Sequence, residues 1–239
     1  MRGDAGFPVR VRFSKRGKVR FISHRDVARA FDRAFRIEQL PLAFTAGFVP
    51  RPKVSFGLAL SVGHESDAEY LDVELDRLVD LDDWPARLTA ALPEGIEVTG
   101  TCVLAERAPA LQESVTMVEY RLGITGAGTA EVAGLIERAL ASPILETTRT
   151  RKGREVVEDV RPLLRAMTVA GATGDTTAVE LEIATQPRSA RPGDIVAAVD
   201  TRLNAERVLR THQWIERGGA RLEPLDADAR MRVPEVRAS

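Results

Sequence analysis

At Ser23 the hydrophobic period of the chain changes, and no other feature limits the fold as much. Before it, Val9, Val11 and Phe13 alternate with Arg10 and Arg12, the period-two pattern of a strand buried on one face. After it, Val27, Ala30, Phe31, Ala34 and Phe35 recur at helical spacing and make one apolar stripe. Ser23 with Asp26 reads as a capping-box pair: the Ser oxygen can accept from an orphaned amide, and the carboxylate suits the positive helix end. A strand that feeds a capped amphipathic helix needs a sheet for the helix to cover, so the chain is read as α+β.

The remaining patterns extend this reading. Lys15-Arg16-Gly17-Lys18 is expected to turn, with Val19, Arg20 and Phe21 resuming a bulged or doubled strand. The helix is expected to reach about residue 37, and Pro41, Gly47, Pro50 and Pro52 stiffen the segment that follows. Strands are expected at 54–62 and 70–75, a helix at 82–92 and a strand at 96–104. After a linker at 105–113 the order recurs, with a strand at 115–124, a helix at 129–140 and paired strands in 144–160. Strands at 163–169 and 178–184, a short helix at 192–203 and a strand at 207–216 complete it. Two tandem ferredoxin-like (βαββαβ) domains with antiparallel sheets follow from that order, at residues 8–106 and 114–220, with 221–239 fraying. The duplication rests on element order, since the halves share no strong residue-level repeat.

Composition removes several function classes. Cys102 is the one cysteine, so the chain alone builds no internal disulfide, Cys-rich zinc site or cysteine-held iron–sulfur cluster. No apolar run approaches the ~18 residues of a membrane helix, and a cytoplasmic location is expected. The net charge of −1 conceals a split: residues 1–60 carry 13 Lys/Arg against 4 Asp/Glu, and residues 61–115 carry 3 against 13. Such segregation suggests a basic and an acidic face, unless the two stretches interleave in the fold and neutralise each other.

The sequence has no P-loop, no G-x-S-x-G elbow and no H-E-x-x-H. His24, His64 and His212 have no locally spaced metal ligand beside them. Lys15, Arg16, Lys18, Arg20, Arg25, Arg29, Arg51 and Lys53 come from a turn, a strand, a helix and a stiff loop, and are read as one groove for a phosphate backbone. His24, at the head of the Arg25, Arg29, Arg33, Arg36 stripe, joins them as a base or phosphate contact and is the one weak candidate for catalysis. Phe21, Phe44, Phe48 and Phe56 could supply stacking faces, although core packing is the ordinary use of each.

Several runs together carry a resemblance: G-K-V-R-F-I-S-H-R-D, then L-P-L-A-F-T-A-G-F-V-P-R-P-K-V-S-F-G-L-A-L-S-V-G, E-S-D-A-E-Y-L-D-V-E-L, V-V-E-D-V-R-P-L and V-L-R-T-H-Q-W-I-E. Over residues 8–216 the chain resembles the radical SAM-linked protein family, whose members are fused to or encoded beside a radical SAM enzyme. The resemblance implies an accessory role, with the iron–sulfur cluster and S-adenosylmethionine on a partner and no cofactor in this chain. The family's usual Gly-Phe-Asn-Pro-His-Pro loop is Gly47-Phe48-Val49-Pro50-Arg51-Pro52 here, and Arg25 replaces a usual apolar residue. The tandem element order is also similar to that of CRISPR repeat-processing endoribonucleases, a likeness of fold. The expectation is a non-catalytic module that presents RNA to a radical SAM enzyme. A metal-independent ribonuclease using His24 and a protein scaffold are the alternatives.

Overall fold

A computed structural model describes residues 6–105, 108–151 and 153–230. The first half contains β1 (Phe7–Lys15), α1 (His24–Ile37), β2 (Val54–Phe56), β3 (Glu65–Leu75), α2 (Trp84–Ala91) and β4 (Ile96–Val103). The second contains α3 (Leu111–Ser114), β5 (Met117–Thr125), α4 (Thr129–Ala141), β6 (Glu146–Arg151), β7 (Arg154–Asp159), β8 (Leu164–Thr173) and β9 (Thr176–Ala184). It continues with α5 (Pro192–Val199), β10 (Asn204–Arg217), β11 (Ala220–Leu222) and α6 (Pro224–Ala227). The fold is mixed α+β, built on a nine-stranded, mainly antiparallel sheet of order β4-β1-β3-β10-β5-β9-β8, with β2 beside β3 and β11 beside β10. The halves meet where β10 pairs in parallel with β3, Leu209 opposite Glu65 and Arg210 opposite Ser66. Strands from both halves therefore lie in one sheet, and β6 and β7 form a separate hairpin.

The apolar alternation and the helical stripe meet as their periods require. Val9, Val11, Phe13, Leu71 and Val73 pack against Val27, Phe31 and Phe35 of α1 and Leu88 of α2. Each fully buried Phe or Leu contributes roughly 1.5–3 kcal/mol relative to exposure. The Ser23 cap forms in both directions, Asp26 N–H to Ser23 Oγ at 3.3 Å and Ser23 N–H to Asp26 Oδ2 at 3.2 Å. The second core gathers Leu122, Ile124, Val132, Ile136, Leu181, Ile195 and Val196.

Three expectations need correction. Residues 19–21 do not resume a strand: Gly17–Phe21 is a 3-10 turn, entered through the left-handed Gly17 (φ 70°). The strand expected at 54–62 stops at Phe56, because β10 occupies the edge of β3 further along and the Leu58 and Ala59 carbonyls accept from Arg210 instead of a ladder partner. The segment expected to fray from residue 221 is packed as far as 230: β11 extends β10, and α6 lies over β1. There the Arg10 guanidinium, 0% exposed, grips both Asp72 oxygens at 2.7 and 2.9 Å and donates to the Pro224 carbonyl at 3.0 Å. Residues 231–239 lie outside the described part of the chain.

Candidate nucleic-acid interface

Strand pairing decides which cations of the first half remain available. Because β1 lies beside β3, the basic stretch and the acidic stretch interleave. Arg10 pairs with Asp72, Arg16 with Asp67, Lys53 with Glu74 at 3.0 Å, and Arg20 stands 3.7 Å from Glu65. Arg12 meets Glu223, and on α1 Arg29 stands 3.4 Å from Asp26 while Arg36 pairs with Asp32. Lys18, Arg25, Arg33 and Arg51 are exposed and make no ion pair among the described residues.

The nine sequence candidates thus separate. Lys15 is buried: its ammonium donates to the Arg20 and Ile22 carbonyls at 3.3 and 3.1 Å, under the 3-10 turn. Burial pushes its pKa down against a weaker pull from Glu69. It supports the turn from beneath and does not meet solvent as a phosphate contact. Arg16 faces the other way, in a groove with Arg12, Asp67, Glu97 and Thr99, and its hydrogen bond to Asp67 raises its pKa. Arg29 and Arg33 line a groove beside Ala91, Leu92 and Pro93. Lys53 is neutralised by Glu74. The single convergent groove expected from the sequence is not what the fold builds.

A smaller constellation stays together around the N-terminus of α1. Lys18, Arg20 and Phe21 sit on the 3-10 turn, and Arg25 is on the first helical turn. The Arg20 guanidinium lies 4.5 Å from the centroid of the Phe21 ring, which is 62% exposed, so one aromatic face is backed by a cation and the rest is open. His24 meets Phe56 edge-on at 5.0 Å and lines a cavity of about 20 Å³, room for one water, with Lys15, Leu58, Leu60 and Glu69. Its ring has no hydrogen-bond partner among the described residues. Phe56 is the far end of the stiff loop, whose rungs are Thr45 N–H to Arg51 O at 2.9 Å and Lys53 N–H to Ala43 O at 2.9 Å. That hairpin-like closure leaves Phe48, Val49 and Arg51 exposed to solvent. Two acids border this rim: Glu65, which accepts from Gly17 N–H at 2.7 Å, and Asp26, held below the usual carboxylate range by its hydrogen bonds from Ser23.

Sequence reasoning missed the groups at the junction of the halves. Arg210, 3% exposed, donates to Glu69 Oε1 at 2.8 Å, to the Leu58 and Ala59 carbonyls at 2.9 and 3.2 Å, and to the Tyr120 hydroxyl at 3.3 Å. Burial opposes its charge, but Glu69 and Tyr120 outweigh burial and raise its pKa. The signal was present as an arginine inside the apolar run Val208-Leu209-Arg210, which reads as a strand with one solvated side chain until its neighbour is known. His64, at the end of the loop that Arg210 holds, has its pKa lowered by burial and by Arg210, Arg191 and Lys15. Among the described residues no cluster of three or more His, Cys, Asp or Glu could hold a metal ion, and no helix is long and apolar enough to cross a membrane.

Comparison with known proteins gives no match among curated sequences. Among solved structures, the chain is similar to one in a Cbf5–Nop10–Gar1 complex, with 10% identity and a TM-score of 0.48, over 95% of this chain and 56% of that one. It is also similar to a chain in an H/ACA RNP bound to a substrate RNA containing 2'-deoxyuridine, with 10% identity and a TM-score of 0.47, over 95% and 55%. The chain spans about half the length of these solved chains. A family model described as an uncharacterized protein conserved in bacteria matches residues 9–192, and the chain belongs to that family, DUF2344.

Proposed function

We propose that this protein is a non-catalytic module that binds single-stranded RNA on the rim around the N-terminus of α1. The observation that carries the reading is the coincidence, on one turn and the helix it precedes, of cations left without acidic partners and an exposed aromatic face. Lys18 and Arg25 can neutralise consecutive phosphates, and the open side of Phe21, backed by Arg20, can take a base by stacking. Phe48 at the tip of the stiff loop and Arg51 at its neck offer a second exposed aromatic ring and cation. In this reading the two halves are ferredoxin-like units joined edge to edge. The strand orders β4-β1-β3-β2 and β10-β5-β9-β8 support it, as each has its first strand central and its last strand beside it. The partner in the proposal is a radical SAM enzyme carrying the cluster and S-adenosylmethionine, and its support is the sequence resemblance.

No observation favours the ribonuclease. A general base needs an orienting or proton-relaying neighbour, and the close ring contact of His24 is Phe56. The test is binding of a labelled rU12 oligonucleotide by anisotropy across a salt series. Lys18→Ala with Arg25→Ala is expected to weaken binding and reduce the log–log salt slope by roughly 0.7 for each phosphate no longer neutralised. Lys53→Ala, which removes a cation already paired with Glu74, is expected to change neither. Equal slopes for the wild type and the double variant would sink the proposal.

A further inference from the structure

The cations of the first half do not end at the junction with the second. The helix α5 ends at Val199, β10 begins at Asn204, and α5 packs against the sheet through Ile195 and Val196. Eight helical residues cover about 12 Å, and strand residues advance about 3.3 Å each, so α5 carries its start back along β10 by about four residues. Arg191, immediately before α5, is thereby brought to about the level of Val208, next to the Leu209–Glu65 pairing where β3 begins and His64 precedes it. The field of Arg191 at His64 agrees with this placement. Arg191 is exposed and its guanidinium makes no ion pair among the described residues, whereas the nearby Arg149 and Arg188 are paired with Asp194 and Glu158. On the other side, the loop carrying His64 touches the cationic turn directly, Gly63 N–H donating to the Arg20 carbonyl at 2.8 Å. Arg210 fixes that loop from β10 through the Leu58 and Ala59 carbonyls.

We propose that the anion-binding surface runs from the Lys18–Arg25 rim, past His64, to Arg191, so that one single strand of RNA touches both halves. The inference rests on the RNA reading above and extends it: the ligand is a single strand long enough to cross the junction. A fixed loop between two cationic anchors gives a rigid path, and the parallel β3–β10 pairing holds those anchors in one body. Val62, exposed on the same loop, lies along the path as an apolar contact for a base or sugar.

The experiment compares four proteins on the same rU12 oligonucleotide over a salt series: wild type, Lys18→Ala with Arg25→Ala, Arg191→Ala and Arg121→Ala. Arg121 is an exposed arginine that alternates with buried Tyr120 and Leu122 along β5 and pairs with Glu180, so it removes the same charge from the opposite face of the sheet. Thermal unfolding confirms that each variant is folded. Arg191→Ala is expected to weaken binding several-fold and lower the salt slope by roughly 0.7, with Arg121→Ala unchanged. If the double variant loses affinity and Arg191→Ala does not, the path across the junction is overturned while the rim stands. If neither changes, both readings fall. Equal losses from Arg191→Ala and Arg121→Ala would reduce the effect to net charge and overturn the path as well.

Discussion

Replacing Arg210 by Met tests what holds the halves together. The guanidinium is buried and donates at once to Glu69, to two carbonyls of the 57–64 loop and to the Tyr120 hydroxyl. Met retains much of the volume but no donor, so Glu69, itself 8% exposed, is left as a carboxylate without its close cation. Breaking a buried ion pair from one side costs about 3–5 kcal/mol, most of it the desolvation of the abandoned charge. Against a total stability of roughly 5–15 kcal/mol the loss is large. In urea unfolding it corresponds to a midpoint lower by about 1–2 M, with little change in slope. Adding Glu69→Leu removes the abandoned charge and is expected to restore most of the stability, because an apolar pair of similar volume is often neutral to a buried ion pair. Hydrogen exchange adds a local readout, in which the Gly57 and Gly63 amides, bonded to the Tyr70 and Arg20 carbonyls, lose protection in Arg210→Met. A single variant within about 1 kcal/mol of wild type, or a double variant no better than the single, refutes the account.

Two further outcomes follow from half-buried titratable groups. Burial pushes the Cys102 thiol up to about 11, so at pH 8 only about a thousandth is thiolate, and alkylation by iodoacetamide should proceed far more slowly than in the urea-unfolded chain. Equal rates in the two states would contradict the burial of that side chain beside Arg10 and Asp72. The His64 pKa is lowered in the fold by burial and three neighbouring cations, so below the ordinary histidine value of about 6.5 the unfolded chain binds the extra proton first. Stability should therefore fall as pH drops from about 6.5 through the folded value and level off below it. His64→Gln should flatten that part of a melting-temperature profile, and an unchanged profile would count against it.

Some of the fold was legible because local patterns and tertiary packing asked for the same thing. The Ser23–Asp26 cap, the Val27-Phe31-Phe35 stripe and the β1 alternation are each fixed by neighbours within a turn or two, and each formed as its spacing requires. The hairpin of residues 144–160 was also legible, since Gly153 supplies the left-handed turn between β6 and β7. The short β2 was not. Its length is set by competition between residues 57–62 and a strand some 150 residues later for one edge of β3, and periodicity carries no record of a competitor. The packing of residues 221–230 was hidden for a related reason: its few apolar groups matter less than Glu223 and Asp228, which meet Arg12 and Arg10 across the whole length of the chain.

The candidate site shows the same limit from the side of charge. Counted along the chain, residues 1–60 carry a large positive excess, from which a basic face is expected. Pairing β1 and β2 with β3 sets that excess directly against the acidic stretch, so Arg10, Arg16 and Lys53 are neutralised by Asp72, Asp67 and Glu74 before any ligand arrives. Strand residues are the ones most exposed to this cancellation, because each has a fixed cross-strand neighbour. Residues on turns, helix starts and loop tips have none imposed on them. Lys18, Arg25 and Arg51 occupy such positions, and so does Arg191 before α5. Sequence charge becomes surface charge only after the ladder has cancelled its share, and of the cations in residues 1–60 those left exposed without an ion pair among the described residues are Lys18, Arg25, Arg33 and Arg51.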